Sequence, residues 1–236
     1  VTASVAVPEA SWDFVNYQVG LVYKPTRNTS VYASYATSST PPTIAGGDGN
    51  SSATPAQAVL DPEDTTSFEI GAKASLFRDQ LQLSAAVFSL KRENASVVVD
   101  GVASQVGEVE VKGVELGVSG NITPQWQVFG GYTFQDSELV KAATGNVNIG
   151  DPLANTPKHS ASLFTTYRVL PKLAVGGGVY YVSRSNGGNQ GGAGGGANGI
   201  YAPAYTRVDA FASYDLSERA TLQLNVQNVG DERYIL

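Results

Sequence analysis

The 236-residue chain has no cysteine, no methionine, one histidine and two tryptophans. Without cysteine there is no disulfide framework, no thiolate metal site and no cysteine nucleophile, and the redox compartment stays open. No run of about 18 consecutive apolar residues occurs, which excludes a membrane-spanning helix. No basic segment followed by an apolar one opens the sequence, and with no methionine the chain is expected to be an internal piece or a processed product. Charge is sparse as well: 15 Lys and Arg against 21 Asp and Glu give a net charge of -6, which argues against nucleic acid as a partner. The lone His159, far from any carboxylates in motif spacing, offers neither a metal site nor a catalytic base and reads as a strand-end surface residue.

What the chain has is alternation. About ten segments alternate apolar and polar residues, and their connections are alternately very short and long. Val15, Tyr17, Val19, Leu21 and Tyr23 form one face of the first strand, opposite Asn16, Gln18, Gly20 and Lys24. The apolar set must face lipid, because a Lys or Arg on a lipid face near the midplane costs roughly 2–4 kcal/mol. Short turns are expected at Pro25–Asn28, Arg78–Gln80, Asn121–Gln125, Pro171 and Leu216–Arg219. Long loops are expected from Thr37 to Glu63, from about Glu93 to Gly107, up to about Thr156, and through the glycines from Gly187 to Gly199. The apolar parity changes between Val109/Val111 and Val114/Leu116/Val118, which predicts a β-bulge near Lys112 and Gly113.

Short periplasmic turns and long external loops are the pattern of an antiparallel transmembrane β-barrel. The abundance of Tyr and Gly agrees, with aromatic girdles and loops that need positive φ. Traced through, the alternation puts both ends of the chain outside, so about ten strands of a larger barrel are expected. Gly187–Gly199 lacks the Lys-Ser or Lys-Thr of a phosphate loop, Gly46–Asn50 is not a repeated calcium motif, and the sequons at Asn28, Asn50, Asn94 and Asn121 carry no weight when one lies in a periplasmic turn.

Several stretches add a family resemblance. Leu60-Asp61-Pro62-Glu63 through Ser67–Lys73, Lys112-Gly113-Val114-Glu115-Leu116, Asn155–Ser160, Tyr205–Asp209 and Leu224–Tyr234 look like successive landmarks of TonB-dependent outer-membrane siderophore receptors, from about Tyr17 to Tyr234. The spacing around Phe88–Glu93 and the phrase Thr123–Phe134 look most like the catecholate branch. The resemblance implies a 22-stranded barrel of the bacterial outer membrane, closed by an N-terminal plug domain and energised by the TonB complex. It implies import of ferric siderophores, no enzymatic activity, and no cofactor, the iron arriving chelated. Residues 1–236 then read as part of the barrel, with the plug and a closing strand after Tyr234 expected outside it. A passive porin, or a ten-stranded outer-membrane protease, is the alternative; the protease needs acidic residues and a His at the outer rim.

Near the predicted extracellular strand ends, Arg92, Gln135, Tyr180, Arg184, Tyr205 and Arg207 point inward by parity, and Tyr35 and Tyr201 lie at the same level. Arg attracts and stacks on an anionic aromatic chelate, and Tyr supplies a flat face and a hydroxyl. The same Tyr residues also suit an interfacial girdle, and the Arg residues outer-surface contacts. The lumenal charges Glu69, Lys73, Glu115, Arg168, Arg207 and Asp209 suit docking of a plug domain, and equally pairing between neighbouring strands.

Overall fold

A computed structural model describes residues 11–41, 61–99, 102–142, 149–187 and 200–235. These contain no helix. Ten strands form one antiparallel sheet in order along the chain: β1 (Gln18–Thr26), β2 (Thr29–Thr40), β3 (Glu63–Leu76), β4 (Leu81–Val99), β5 (Val102–Thr123), β6 (Trp126–Lys141), β7 (His159–Leu170), β8 (Leu173–Val182), β11 (Tyr205–Ser217) and β12 (Ala220–Val226). Between β8 and β11, β9 (Ser185–Gly187) and β10 (Ile200–Ala202) make a separate two-stranded hairpin. The five tight connections, β1–β2, β3–β4, β5–β6, β7–β8 and β11–β12, all fall at one end of the sheet. The predicted turns and the strand count are those observed.

Register carries the alternation from strand to strand. One row runs Tyr23–Val31–Ala72–Ala85–Leu116–Tyr132–Ala161–Tyr181 across eight strands, and the next runs Ala74–Leu83–Val118–Gly130–Leu163–Val179–Val208. On the other face, Ser30, Lys73, Ser84, Gly117, Gly131, Ser162, Tyr180 and Arg207 lie in one row. A one-residue slip at any pairing would mix these sets, so the apolar face locks the register. Aromatic residues bound the apolar face at both ends. Trp126 lies opposite Tyr167 near the tight turns, its indole N–H donating to Thr165 Oγ1 at 2.7 Å. Tyr17 and Tyr35, 5.9 Å apart, and Phe134 beside His159 stand near the long connections.

The structure corrects two expectations. β5 pairs without a register break from Val109 to Gly120 against β4, so there is no bulge at Lys112 and Gly113. Irregularities lie higher, between Arg92 and Ser96 in β4 and at Glu108/Val109 against β6, and at the tight-turn end, at Asn121/Thr123. The predicted loop from Glu93 to Gly107 is, apart from residues 100 and 101, a continuation of β4 and β5 as a hairpin. The physical reason is a reversal of polarity rather than a slip. Above the Phe134 level the outward row is charged, with Lys91, Glu110 and Glu138 in register, while Leu90, Val111 and Ser137, then Arg92, Val109 and Leu139, face inward. Leu139 is 2% exposed and is bracketed by Leu139 N–H to Asp151 O and Gly150 N–H to Leu139 O bonds. Once a strand leaves the hydrocarbon, its outer face meets water and its inner face becomes the one to pack. Of the other predicted loops, residues 42–60, 143–148 and 188–199 lie outside the described residues, the Gly46–Asn50 stretch among them.

An ion-pair network ties this projecting hairpin to β6. Glu108 receives both Lys141 and Lys91, the latter at 3.0 Å, and Lys91 also reaches Glu93 at 2.9 Å. Hydrogen bonding from Lys141, then from Lys91, holds the Glu108 carboxyl below its ordinary value of 4.5. A depressed carboxyl contributes stability that is full above its ordinary value and lost as pH falls through the depressed one. Amide exchange in the hairpin should therefore accelerate as pH drops from near 4.5 downward, once corrected for intrinsic exchange. Glu108→Gln should flatten that dependence; an identical profile in the variant would refute the linkage.

Candidate functional site

At the long-connection end of β7, β8 and β11, the inward face gathers hydroxyls, aromatic rings and one guanidinium. Gly131 and the hydroxyl-bearing Thr133 and Ser160 line a cavity of about 350 Å³ with Tyr180, Tyr205 and Arg207. Arg207 lies with its Cζ 4.4 Å from the centroid of the Tyr180 ring, within cation–π range. Its Nη2 donates to Asp209 Oδ2 at 3.0 Å and its Nη1 to the Tyr234 hydroxyl at 3.4 Å. Its Nε is buried and has no hydrogen-bond partner among the described residues. A buried donor without an acceptor is a cost that an incoming acceptor would relieve.

Local sequence explains how the cluster is held. Residues 207 and 209 share a face because β11 alternates, and both are set opposite glycine-rich β8, where Tyr180 pairs with Arg207 and Gly178 with Asp209. After β12 the chain turns back. Asp209 Oδ1 accepts the Asn228 N–H at 2.8 Å, and Asn228 Oδ1 accepts the Glu232 N–H at 2.9 Å. Asn228 and Asp231 take positive φ of 55° and 49°, conformations that Asn and Asp adopt more readily than most residues. The turn brings Tyr234 onto Tyr205, rings 4.6 Å apart and nearly parallel. Tyr234 was read from sequence only as a family landmark; its place in the site follows from the turn residues between Asn228 and Glu232, which signal that the chain doubles back.

Of the six ligand candidates, the structure brings Tyr180, Tyr205 and Arg207 together. Arg184 lies apart on the approach to β9, stacked 4.0 Å from the Tyr201 ring of β10. Arg92 faces inward on β4, 3.8 Å from Glu63. Gln135 is engaged by the returning chain, its side-chain amide donating to Pro157 O at 3.0 Å.

The lumenal charges divide as well. Asp209 belongs to the Arg207 cluster, so these two residues act as one unit. Glu69 accepts the Tyr32 hydroxyl at 2.6 Å, and Lys73 Nζ stands 5.5 Å from the Tyr32 ring centroid. Glu115 is in the same row as Tyr32 across β3 and β4. The Tyr32 ring lies over Gly71, where a Cβ would come within 2.5 Å of it, and Phe88 covers Gly113 in the same way. Flat rings over bare backbone give this wall a smooth surface between the charges. Arg168 sits near the tight turns, donating to Pro171 O at 3.1 Å.

His159 lies on the apolar face. Its Nδ1 is 2.9 Å from the Tyr132 hydroxyl, and its ring is 5.3 Å from Phe134. The one histidine thus belongs to the outer girdle, on the opposite face from the inward carboxylates. Among the described residues no group of three or more His, Cys, Asp or Glu is arranged to hold a metal.

Comparison with known proteins agrees with this geometry. Residues 2–229 match the family described as TonB dependent receptor-like, beta-barrel. The chain is 40% identical over 234 residues to the probable TonB-dependent siderophore receptor PiuA of Acinetobacter baumannii, covering 94% of this chain and 31% of that protein. It is 33% identical over 232 residues to the catecholate siderophore receptor Fiu of Escherichia coli, covering 95% of this chain and 30% of that one. The crystal structure of PiuA superposes with a TM-score of 0.87 at 38% identity, over 99% of this chain and 34% of that one. The chain therefore spans about a third of the length of these relatives.

Proposed function

We propose, from the premise that this chain belongs to the TonB-dependent receptor-like β-barrel family, that it forms part of the wall of an outer-membrane receptor that imports ferric siderophores. The apolar face meets lipid, the tight turns face the periplasm, and the long connections face outward. The observation that carries the reading is the Arg207 cluster at the outward end of the lumen, with a buried, unpartnered Nε beside the rings of Tyr180 and Tyr205. A catecholate chelate of ferric iron is anionic and presents the flat faces of its catechol rings. Tyr180 and Tyr205 offer it ring faces, and Arg207 offers a donor whose satisfaction requires an acceptor from outside. That Fiu is named a catecholate receptor supports this ligand class over others. Arg92, Gln135 and Arg184 lie at the same outward end and form the wider approach.

In this reading the lower wall seats a plug domain. Glu69, Lys73 and Glu115 present charge around the flat Tyr32 and Phe88 surfaces, and Arg168 stands near the periplasmic mouth. Contacts that are polar and partly hydrated hold a plug while leaving it able to move when TonB pulls. No step of covalent chemistry is needed.

Deleting the gene in a strain without other siderophore receptors should abolish growth on ferric catecholates under iron limitation, and the intact gene should restore it. Uptake of labelled ferric catecholate should fall in parallel. Undiminished growth and uptake on every siderophore supplied would overturn the reading. Equal restoration by hydroxamate siderophores would overturn the catecholate assignment alone.

A further inference from the structure

Arg207 is held at three points, and one of them comes from beyond the end of the last strand. Tyr180 covers a face of the guanidinium, Asp209 takes Nη2, and Tyr234 takes Nη1. Asp209 grips through one oxygen only, because its Oδ1 is committed to the Asn228 N–H. A carboxylate bound through both oxygens fixes the plane of a guanidinium, whereas a single N–H···O contact leaves it free to pivot. The second in-plane contact, which stops the pivot, is the Tyr234 hydroxyl.

The return segment is built to bring that hydroxyl there. The ladder of β11 with β12 ends at Ala210 and Val226, and the chain then bends back along β11, the Val229 N–H donating to Val208 O at 2.8 Å. Asn228 closes the bend on Glu232, its Nδ2 donating to Glu232 O at 3.0 Å while its Oδ1 accepts the Glu232 N–H. The Asp231 N–H adds a bond to Asn228 O, also at 3.0 Å. Two residues further on, the ring of Tyr234 lies on Tyr205, which fixes where its hydroxyl stands. A chain that merely ended at Val226 would leave Arg207 with Asp209 alone in the guanidinium plane. Tyr180, Tyr205 and Arg207 line the 350 Å³ cavity, and Tyr234 stands behind them. A long side chain that must be ordered by its ligand weakens binding, and one ordered beforehand does not. We infer that Tyr234 is a positioning residue of the ligand site: it presets the Arg207 guanidinium for an anionic chelate without touching the chelate itself. The inference rests on the import reading for the ligand, and on the geometry alone for the clamp.

Purified full-length receptor tests both parts. Tyr234→Phe keeps the ring on Tyr205 and removes only the hydroxyl. Its affinity for the ferric complex of dihydroxybenzoate, read by fluorescence quenching, should fall roughly three- to tenfold, with little change in melting temperature. In an Arg207→Ala background the same substitution should have no further effect on affinity, a non-additivity that a purely structural role would not produce. Without ligand, phenylglyoxal, which condenses with guanidinium nitrogens, should modify Arg207 several-fold faster in Tyr234→Phe than in wild type, as read by peptide mass spectrometry. Asn228→Gly tolerates the positive φ and keeps the backbone N–H but lets go of Glu232, so it should shift affinity and modification in the same direction by an independent route. Wild-type affinity in Tyr234→Phe, an equal loss with and without Arg207, or an unchanged modification rate in both variants would overturn the positioning role. A wild-type receptor that binds no ferric catecholate would overturn the import reading instead, and the modification rates would still decide the clamp.

Discussion

An Arg207→Ala receptor should lose affinity for its ferric ligand by about 10- to 100-fold, roughly 1.4–3 kcal/mol, and should also melt at a lower temperature. Two effects are superimposed. The variant removes the one buried side-chain donor of the cluster that lacks a partner among the described residues, and it strands Asp209, which is 9% exposed and keeps the Asn228 N–H as a donor. Stranding a buried carboxylate costs about 3–5 kcal/mol in full burial. Here the Arg207 side chain is itself 25% exposed, so about 1–3 kcal/mol is the appropriate range. The two effects separate in the double variant Arg207→Ala/Asp209→Ala. Without the orphaned charge, stability should recover toward wild type, whereas ligand affinity should stay low. Fluorescence-quenching titration and thermal unfolding of the purified receptor supply the two readouts. Full recovery of affinity in the double variant would show that Arg207 only neutralises Asp209.

Gly120→Val should prevent assembly. Gly120 has φ of +128°, and a Cβ built there falls 2.0 Å from Gln80 O and 3.1 Å from Leu81 Cα. Both obstacles are backbone, held where the Asn121 N–H donates to Gln80 O at 2.7 Å, so neither can rotate aside. Relief requires the β4 and β5 ends to separate. Strain alone at such a φ costs about 1–3 kcal/mol, and the clash adds to it. Gly150 is the control: its φ is +91° but nothing lies within 4 Å of a built Cβ. Gly150→Ala should cost only the strain and leave the receptor folded. Heat-modifiable gel mobility of outer-membrane fractions distinguishes the two; a normally folded Gly120→Val barrel would mean that this turn rearranges freely.

The fold was legible because one face of every strand is exposed to hydrocarbon. Rows such as Tyr23–Val31–Ala72–Ala85 and turns such as Arg27–Asn28 follow from period-two patterning and turn chemistry alone. That logic misled where its premise ended. Period-two patterning alone keeps Val109 and Val111 lipid-facing and so turns a change of parity into an inserted residue. The structure keeps the register and changes the environment. The alternating charges Lys91, Glu93, Glu108, Glu110 and Lys112 were the available signal, since a strand with charge on every second residue is as regular as one with apolar residues there. The site was legible only in part. Parity placed Arg207 and Tyr180 on one face, but their meeting depends on which strands pair, and the stacking of Tyr234 on Tyr205 depends on a turn several residues away.

The reversal of polarity along β4, β5 and β6 also fixes how deep the protein sits. From Trp126 to Phe134 is eight residues, about 26 Å along the strand and about 20 Å vertically at a tilt near 40°. Sinking the sheet by two residues would draw Lys112, Asp136 and Lys158 into hydrocarbon; raising it by two would lift Phe134 and His159 clear of the interface. Both displacements are opposed, so the alternation and its inversion act together as a draught mark. The height of the Arg207 cluster above the membrane is thereby set by the same residues that hold the wall in it.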